Sequence, residues 1–211
     1  HLILKGESLA PDEANSGGSF FVLRSSDEHK THEQIVEMAT ERVPQAYDLS
    51  FPTQVQVLAP MRRGAVGTEA LNDALQRVHT EGQPSLELGR HGARYRVGDR
   101  VLQLRNDYER GVFNGDVGEV TRVDSSDRSL TVDFGEQVST YEADDLRALG
   151  LAYAMTIHKS QGSEFPAVVI PLVRSHGHML RRNLVYTAIT RAKRLCVVAG
   201  DGRAIERAIR S

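Results

Sequence analysis

The sequence predicts an α/β fold, a parallel-sheet domain interrupted by a small β-barrel. Three observations carry this reading. Apolar runs of strand length alternate with helical periodicities from Ser19 to Val78, and again from Leu151 onward. Between them, Tyr95–Leu146 holds only short β runs separated by turn residues. Two dense polar segments, Thr156–Glu164 (T-I-H-K-S-Q-G-S-E) and Val185–Lys193 (V-Y-T-A-I-T-R-A-K), adjoin apolar strands. A plain connection needs only a few turn residues, so polar segments this dense point to binding or chemistry.

The 211 residues are 40% hydrophobic and 26% charged, an ordinary balance with room for one large or two small cores. A net charge of -2 gives no overall signature of a nucleic-acid binder, so such a role must rest on local basic patches. Cys196, the single cysteine, sits in L-C-V-V and reads as a small buried hydrophobe. No apolar stretch approaches the roughly 18 residues that cross a bilayer, and no membrane partner is expected. The chain starts at His1 without an initiator methionine or a signal-peptide layout, so it is expected to be a piece of a longer protein.

Taken in order, His1–Lys5 reads as a short strand or the end of a longer element, and Glu7–Ser19 as a loop. Ser19–Arg24 is strand-like. Thr31 and Gln34 have capping-box spacing, opening a helix that carries Ile35, Met38, Ala39 and Val43 and stops at Pro44. Gln54–Ala59 reads as a strand entering a sheet interior and runs into P-M-R-R-G. Thr68 caps the next helix, with Leu71, Ala74, Leu75 and Val78 on one face. This order is that of a parallel α/β layout. The runs R-V-G-D-R-V-L-Q-L, V-G-E-V-T-R-V, S-L-T-V-D-F and Q-V-S-T-Y then resemble a small SH3-like barrel. From Leu151 come a strand to Met155, the first polar segment, and a strand Phe165–Val173. A helix Asn183–Lys193, a strand Leu195–Ala199 and a short helix capped by Asp201 follow.

No G-x-x-x-x-G-K-[ST] run occurs, and there is no zinc-type pairing of cysteines or H-E-x-x-H. His176 and His178 read as solvated loop histidines. Arg191 on a rigid helix would suit neutralisation of a transferring γ-phosphoryl group. With Lys193 and Arg194 it equally forms a cationic helix end that complements the dipole, and spacing alone favours that second reading. The hydroxyls, His, Lys, Gln and Gly of Thr156–Glu164 suit phosphate contact, and a solvated turn explains them as well.

The runs T-I-H-K-S-Q-G-S-E-F and N-L-V-Y-T-A-I-T-R-A-K, in this order around an apolar strand, resemble the fifth and sixth motifs of superfamily 1 helicases. The barrel insertion and A-P-M-R-R-G resemble the RecD-like, 5′-to-3′ branch. The resemblance covers nearly the whole chain as a second RecA-like domain, of P-loop NTPase type without the P-loop half. It spans residues 1–94 and 148–211, with the barrel at 95–147.

It implies an arginine finger at Arg191, contacts to γ-phosphate and ribose at Gly162 and Glu164, and contacts to single-stranded DNA at Thr156, His158, Lys159 and Ser160. Arg62 or Arg63 would touch DNA phosphate, and Gln161 would couple the two sites. In the barrel, Arg96, Arg100, Arg105 or Arg110 would add a wall to the DNA channel. Tyr108 and Phe113 would stack on bases or serve as packing, the latter being favoured.

The Walker A lysine, the Mg²⁺-binding acid and the adenine-reading glutamine belong to a first RecA-like domain, and a further family arginine would precede His1. ATP with Mg²⁺ would therefore be held mainly by that N-terminal domain of the same protein, and the chain alone would not hydrolyse ATP. Recombination or repair partners and a bacterial cytosolic or nucleoid location are expected. The competing class is a non-enzymatic module in which the barrel recruits a protein or nucleic acid.

Overall fold

A computed structural model describes residues 19–25, 27–88 and 93–210. The expected features at His1–Lys5 and Glu7–Ser19 lie outside them, apart from Ser19. The elements run β1 (Ser19–Arg24), α1 (Glu28–Glu37), α2 (Val43–Tyr47), β2 (Val55–Ala59), α3 (Thr68–Thr80), β3 (Ser85–Leu88), β4 (Ala93–Arg96), β5 (Arg100–Gln103) and β6 (Val117–Asp124). They continue with β7 (Ser129–Asp133), β8 (Val138–Glu142), β9 (Leu149–Leu151), β10 (Ala154–Thr156), β11 (Phe165–Leu172), α4 (Arg182–Ile189), β12 (Ala192–Gly200) and α5 (Gly202–Arg210). The chain divides into two compact units, one formed up to Ala74 and from Ala154 onward, the other Leu75–Tyr153.

The first unit is built on a parallel sheet in the order β1-β12-β11-β2-β10. Every residue of β2 is buried, as are the last six of β11 and of β12. Strands covered on both faces read as continuous apolar runs, which is why V-Q-V-L-A and L-C-V-V were legible as interior strands. Cys196 is buried as expected. Asp201 accepts the N–H groups of Arg203 and Ala204 at 2.9 and 3.0 Å and caps α5.

Two helix boundaries differ from the sequence reading. The first helix begins at Glu28, because Asp27 accepts the His29 N–H at 2.8 Å. Thr31 lies inside the helix, fully buried, with its hydroxyl on the Asp27 carbonyl. Pro44 does not stop the helix. A wider π-type turn over Met38–Arg42 passes into α2, where Pro44 sits in the first turn and needs no N–H. Along α3, Leu71 and Leu75 are buried as expected, but Val78 is 54% exposed, and Asn72, Gln76 and Thr80 turn inward instead.

The second unit carries a five-stranded antiparallel sheet in the order β8-β7-β6-β5-β9, plus the hairpin β3-β4. Tyr95, Val101, Val120, Leu130, Val132, Tyr141 and other apolar side chains form its core. The expected strand Leu151–Met155 is two strands. Leu149–Leu151 pairs antiparallel with β5, whereas Ala154–Thr156 joins the parallel sheet beside β2. An unbroken apolar run carries no mark of the change of sheet, so the unit is wider than residues 95–147.

Asp99, fully buried, organises this unit. One carboxylate oxygen accepts from the Thr80 and Tyr153 hydroxyls, and the other from the Gln76 amide and the Arg96 N–H. Arg110 is bound by Asp107 and Asp145 and lies 5.0 Å from the Tyr141 ring centroid, so its charge is engaged within the barrel. Tyr108 and Phe113 meet edge-on at 5.9 Å and remain exposed, so they are not barrel core.

Candidate functional site

The first polar segment leaves the sheet at the end of β10. Asn72 sets that exit by bonding both main-chain groups of Ala154, donating at 2.9 Å and accepting at 2.8 Å. Thr156 follows, half-buried, and its hydroxyl has no partner among the described residues. A single 3₁₀ turn, Ile157–Ser160, comes next. Ile157 and Ser160 are both fully buried, which leaves His158 and Lys159 on the outer side.

Ser160 was expected among the DNA contacts. It is instead fully buried with its hydroxyl donating to the Ile157 carbonyl at 2.8 Å, so it closes the turn and presents nothing to a strand. Partial burial and the nearby positive charge of Arg62 both depress the proton affinity of Lys159. Arg62 and Lys159 thus share one cationic neighbourhood.

Arg62 and Arg63 lie on a loop folded against the start of α3. The Met61 and Arg62 carbonyls accept from the Thr68 and Glu69 N–H groups at 3.0 Å each. This closeness demands glycine at position 67, where a Cβ would stand 2.5 Å from the Arg62 and Arg63 carbonyl oxygens. Arg62 pairs with Glu69 at 3.3 Å, while Arg63 is exposed without an ion pair among the described residues.

The second polar segment departs from its expected form. Helix α4 ends at Ile189, and Arg191 sits one residue past the Thr190 cap, in the turn before β12. Its guanidinium donates to the Thr187 carbonyl at 3.2 Å, the Ser163 carbonyl at 3.2 Å and the Thr190 hydroxyl at 3.3 Å. Its own carbonyl accepts the Phe165 N–H at 2.8 Å. The bond to Thr187 caps the last turn, as a dipole-complementing cation would. The bond to Ser163 joins the two polar segments directly.

Gly162 adopts φ +86°, the left-handed region that favours glycine, and a Cβ there would meet nothing within 4 Å. The main chain beside Arg191 is therefore open to an approaching anion. Glu164 pairs with Lys193 at 3.1 Å, both side chains being well exposed. Ser163 was not singled out from the sequence, and Lys193 was read only as part of a cationic helix end, not as the partner of Glu164. Each partner lies more than two dozen residues away, beyond any local periodicity.

A cleft of about 370 Å³ lies between the segments, lined by His158, Gln161, Met179, Arg181, Leu184 and Thr187 among others. A second hollow of about 450 Å³ shares His178, Arg181 and Asn183 with it. His178 is exposed as expected, but His176 is not a solvated histidine. It is 3% exposed, and its Nδ1 accepts the Val173 N–H at 3.3 Å. Burial lowers its pKa to about 4. No group of three metal-ligating side chains occurs among the described residues.

Residues 71–134 match the family described as the SH3 domain of ATP-dependent RecD-like DNA helicases, and residues 151–199 match the UvrD-like helicase C-terminal domain. The chain belongs to the RecD-like helicases of superfamily 1. It is similar to the ATP-dependent RecD2 DNA helicase of Deinococcus radiodurans, 41% identical over 74% of this chain and 21% of that protein. It is also similar to the RecBCD enzyme subunit RecD of Mycolicibacterium smegmatis, 35% identical over 73% of this chain and 26% of that one. This RecD-like chain thus spans about a fifth to a quarter of the length of these relatives. Among solved structures, a Bacteroides Pif1 helicase in complex with ADP-AlF3 and single-stranded DNA shares its fold. The TM-score is 0.54 at 18% identity, over 82% of this chain and 49% of that one.

Proposed function

We propose that this chain is one half of an ATP-driven 5′-to-3′ DNA helicase motor, the half that supplies the arginine finger and part of the grip on single-stranded DNA. The observation that carries the reading is the Arg191 guanidinium bonded to Ser163, beside Gly162 and Glu164. Three of the five guanidinium N–H groups are used by oxygens of this chain, leaving donors for a phosphate.

ATP, with its Mg²⁺ held by the P-loop half, would lie against Gly162 and Arg191, with Glu164 at the ribose. Water attacks the γ-phosphorus and the bond to the β–γ bridging oxygen breaks. Arg191 neutralises the charge that develops there. Thr156, His158, Lys159, Arg62 and Arg63 contact the strand, the cations through its phosphates. Loss of the γ-phosphate removes the contact that favours closure, so grip on the strand alternates with nucleotide state. Gln161, in the cleft between the two segments, is the link between nucleotide and strand.

The test is ATP turnover by the complete parent protein, with and without single-stranded DNA, in wild type, Arg191→Ala and Arg191→Lys. The expected result is DNA-stimulated turnover that falls about 10³-fold or more in Arg191→Ala with ATP still bound. Lysine would not restore it, because a single ammonium nitrogen cannot reproduce the fork that bonds Thr187, Ser163 and Thr190 and still faces a phosphate. Turnover indifferent to both DNA and the substitution would return the chain to the class of non-enzymatic binding modules.

A further inference from the structure

We infer that the cleft beside His158 is a pocket for one unstacked nucleobase of the bound strand, with Arg181 at its rim taking the adjoining phosphate. This rests on the proposed strand contact at His158. The cleft holds about 370 Å³, at the small end of ligand pockets and ample for a single flat ring system. Its wall includes Met179 and Leu184, both only half-buried, so apolar surface stays open to solvent in a part of the molecule that is otherwise polar. Thioether and branched aliphatic groups of this kind pack well on an aromatic face.

The rim is made of groups that suit a nucleotide. His158 and Gln161 come from the first polar segment, and Arg181 immediately precedes α4. Arg181 is exposed, and its side chain has no hydrogen bond or ion pair among the described residues. No carboxylate lines this cleft or the neighbouring hollow, which Arg181 and His178 share with it. An apolar floor under a cationic rim without opposing acid fits a base whose phosphate lies outside the pocket. A protein segment would find no acid here for its lysines.

The experiment uses the complete parent protein and a series of oligothymidylates, each with one abasic nucleotide at a different position. Affinity is measured by fluorescence anisotropy. In wild type, one position within the footprint is expected to lose about tenfold in affinity when its base is removed. In Met179→Ser that dependence should disappear, because the intact strand is already bound as weakly as the abasic one. Arg181→Glu lies on the exposed rim and does not endanger folding. It should weaken all the oligonucleotides about tenfold and lower the salt dependence of binding by about 0.7 in log–log slope.

An abasic profile and salt slope unchanged in both variants, with His158→Ala weakening the strand, would overturn the pocket and leave the proposed function standing. Failure of His158→Ala to alter strand affinity would instead remove the reading on which the pocket rests.

Discussion

His176 shows how a single side chain can make stability depend on pH. The imidazole is buried, and its pKa is about 4 against an unperturbed value of 6.5. Above pH 6.5 both folded and unfolded chains carry it neutral. Between 6.5 and 4 the unfolded chain binds a proton that the native chain refuses, so stability falls as the pH falls. Lowering the pH from 7.5 to 5 should cost about 2 kcal/mol through this one group. Urea denaturation of wild type and His176→Gln at the two pH values checks it. Gln can still accept the Val173 N–H, and the variant should lose distinctly less stability on acidification than wild type. Equal losses would mean that another group is responsible. Single residues were also where sequence reading was weakest. H-G-H looks the same whether a ring faces water or core, and Ser160 is one hydroxyl among several until its burial is known.

Among elements, the turns around the barrel depend on Asp99. Its four hydrogen bonds tie the end of α3, through Gln76 and Thr80, to the end of β4 and to Tyr153 just before β10. Burial and the neighbouring Asp99 carboxylate both raise the Tyr153 pKa, so the phenol remains a donor. Replacing Asp99 by Asn leaves one acceptor oxygen for four donors and sets an N–H₂ against the rest. A loss on the order of 3 kcal/mol is expected in urea denaturation of the chain. A loss below about 0.5 kcal/mol would show that the donors find other partners and that the hub is dispensable. Asp99 falls inside R-V-G-D-R-V-L-Q-L, which reads as a β run, and only the folded chain reveals that this aspartate is fully buried. The element types and most strand bounds were legible, since V-G-E-V-T-R-V and S-L-T-V-D-F alternate with the period of a half-buried sheet. The end of α4 was not. T-A-I-T-R-A-K has helical composition throughout, and the turn at Thr190 is imposed by the pairing of the next strand, Ala192 with Phe165.

For the whole molecule, the 211 residues contain no phosphate-cradling G-x-x-x-x-G-K-[ST] run. The purified chain is therefore expected to release no phosphate from ATP above the buffer blank, while the complete parent protein does so with DNA present. Measurable turnover by the chain alone would mean that the nucleotide site is complete within it. The sequence alone determined the alternation of elements, the barrel insertion and the two polar segments, because periodicity and turn chemistry are local properties. Tertiary structure decided which polar residues meet. Arg191 reaches Ser163 across 28 positions, Glu164 reaches Lys193 across 29, and Ser160 withdraws into the core. Those pairings depend on adjacent parallel strands delivering their loops to one edge, and no spacing along the chain records them.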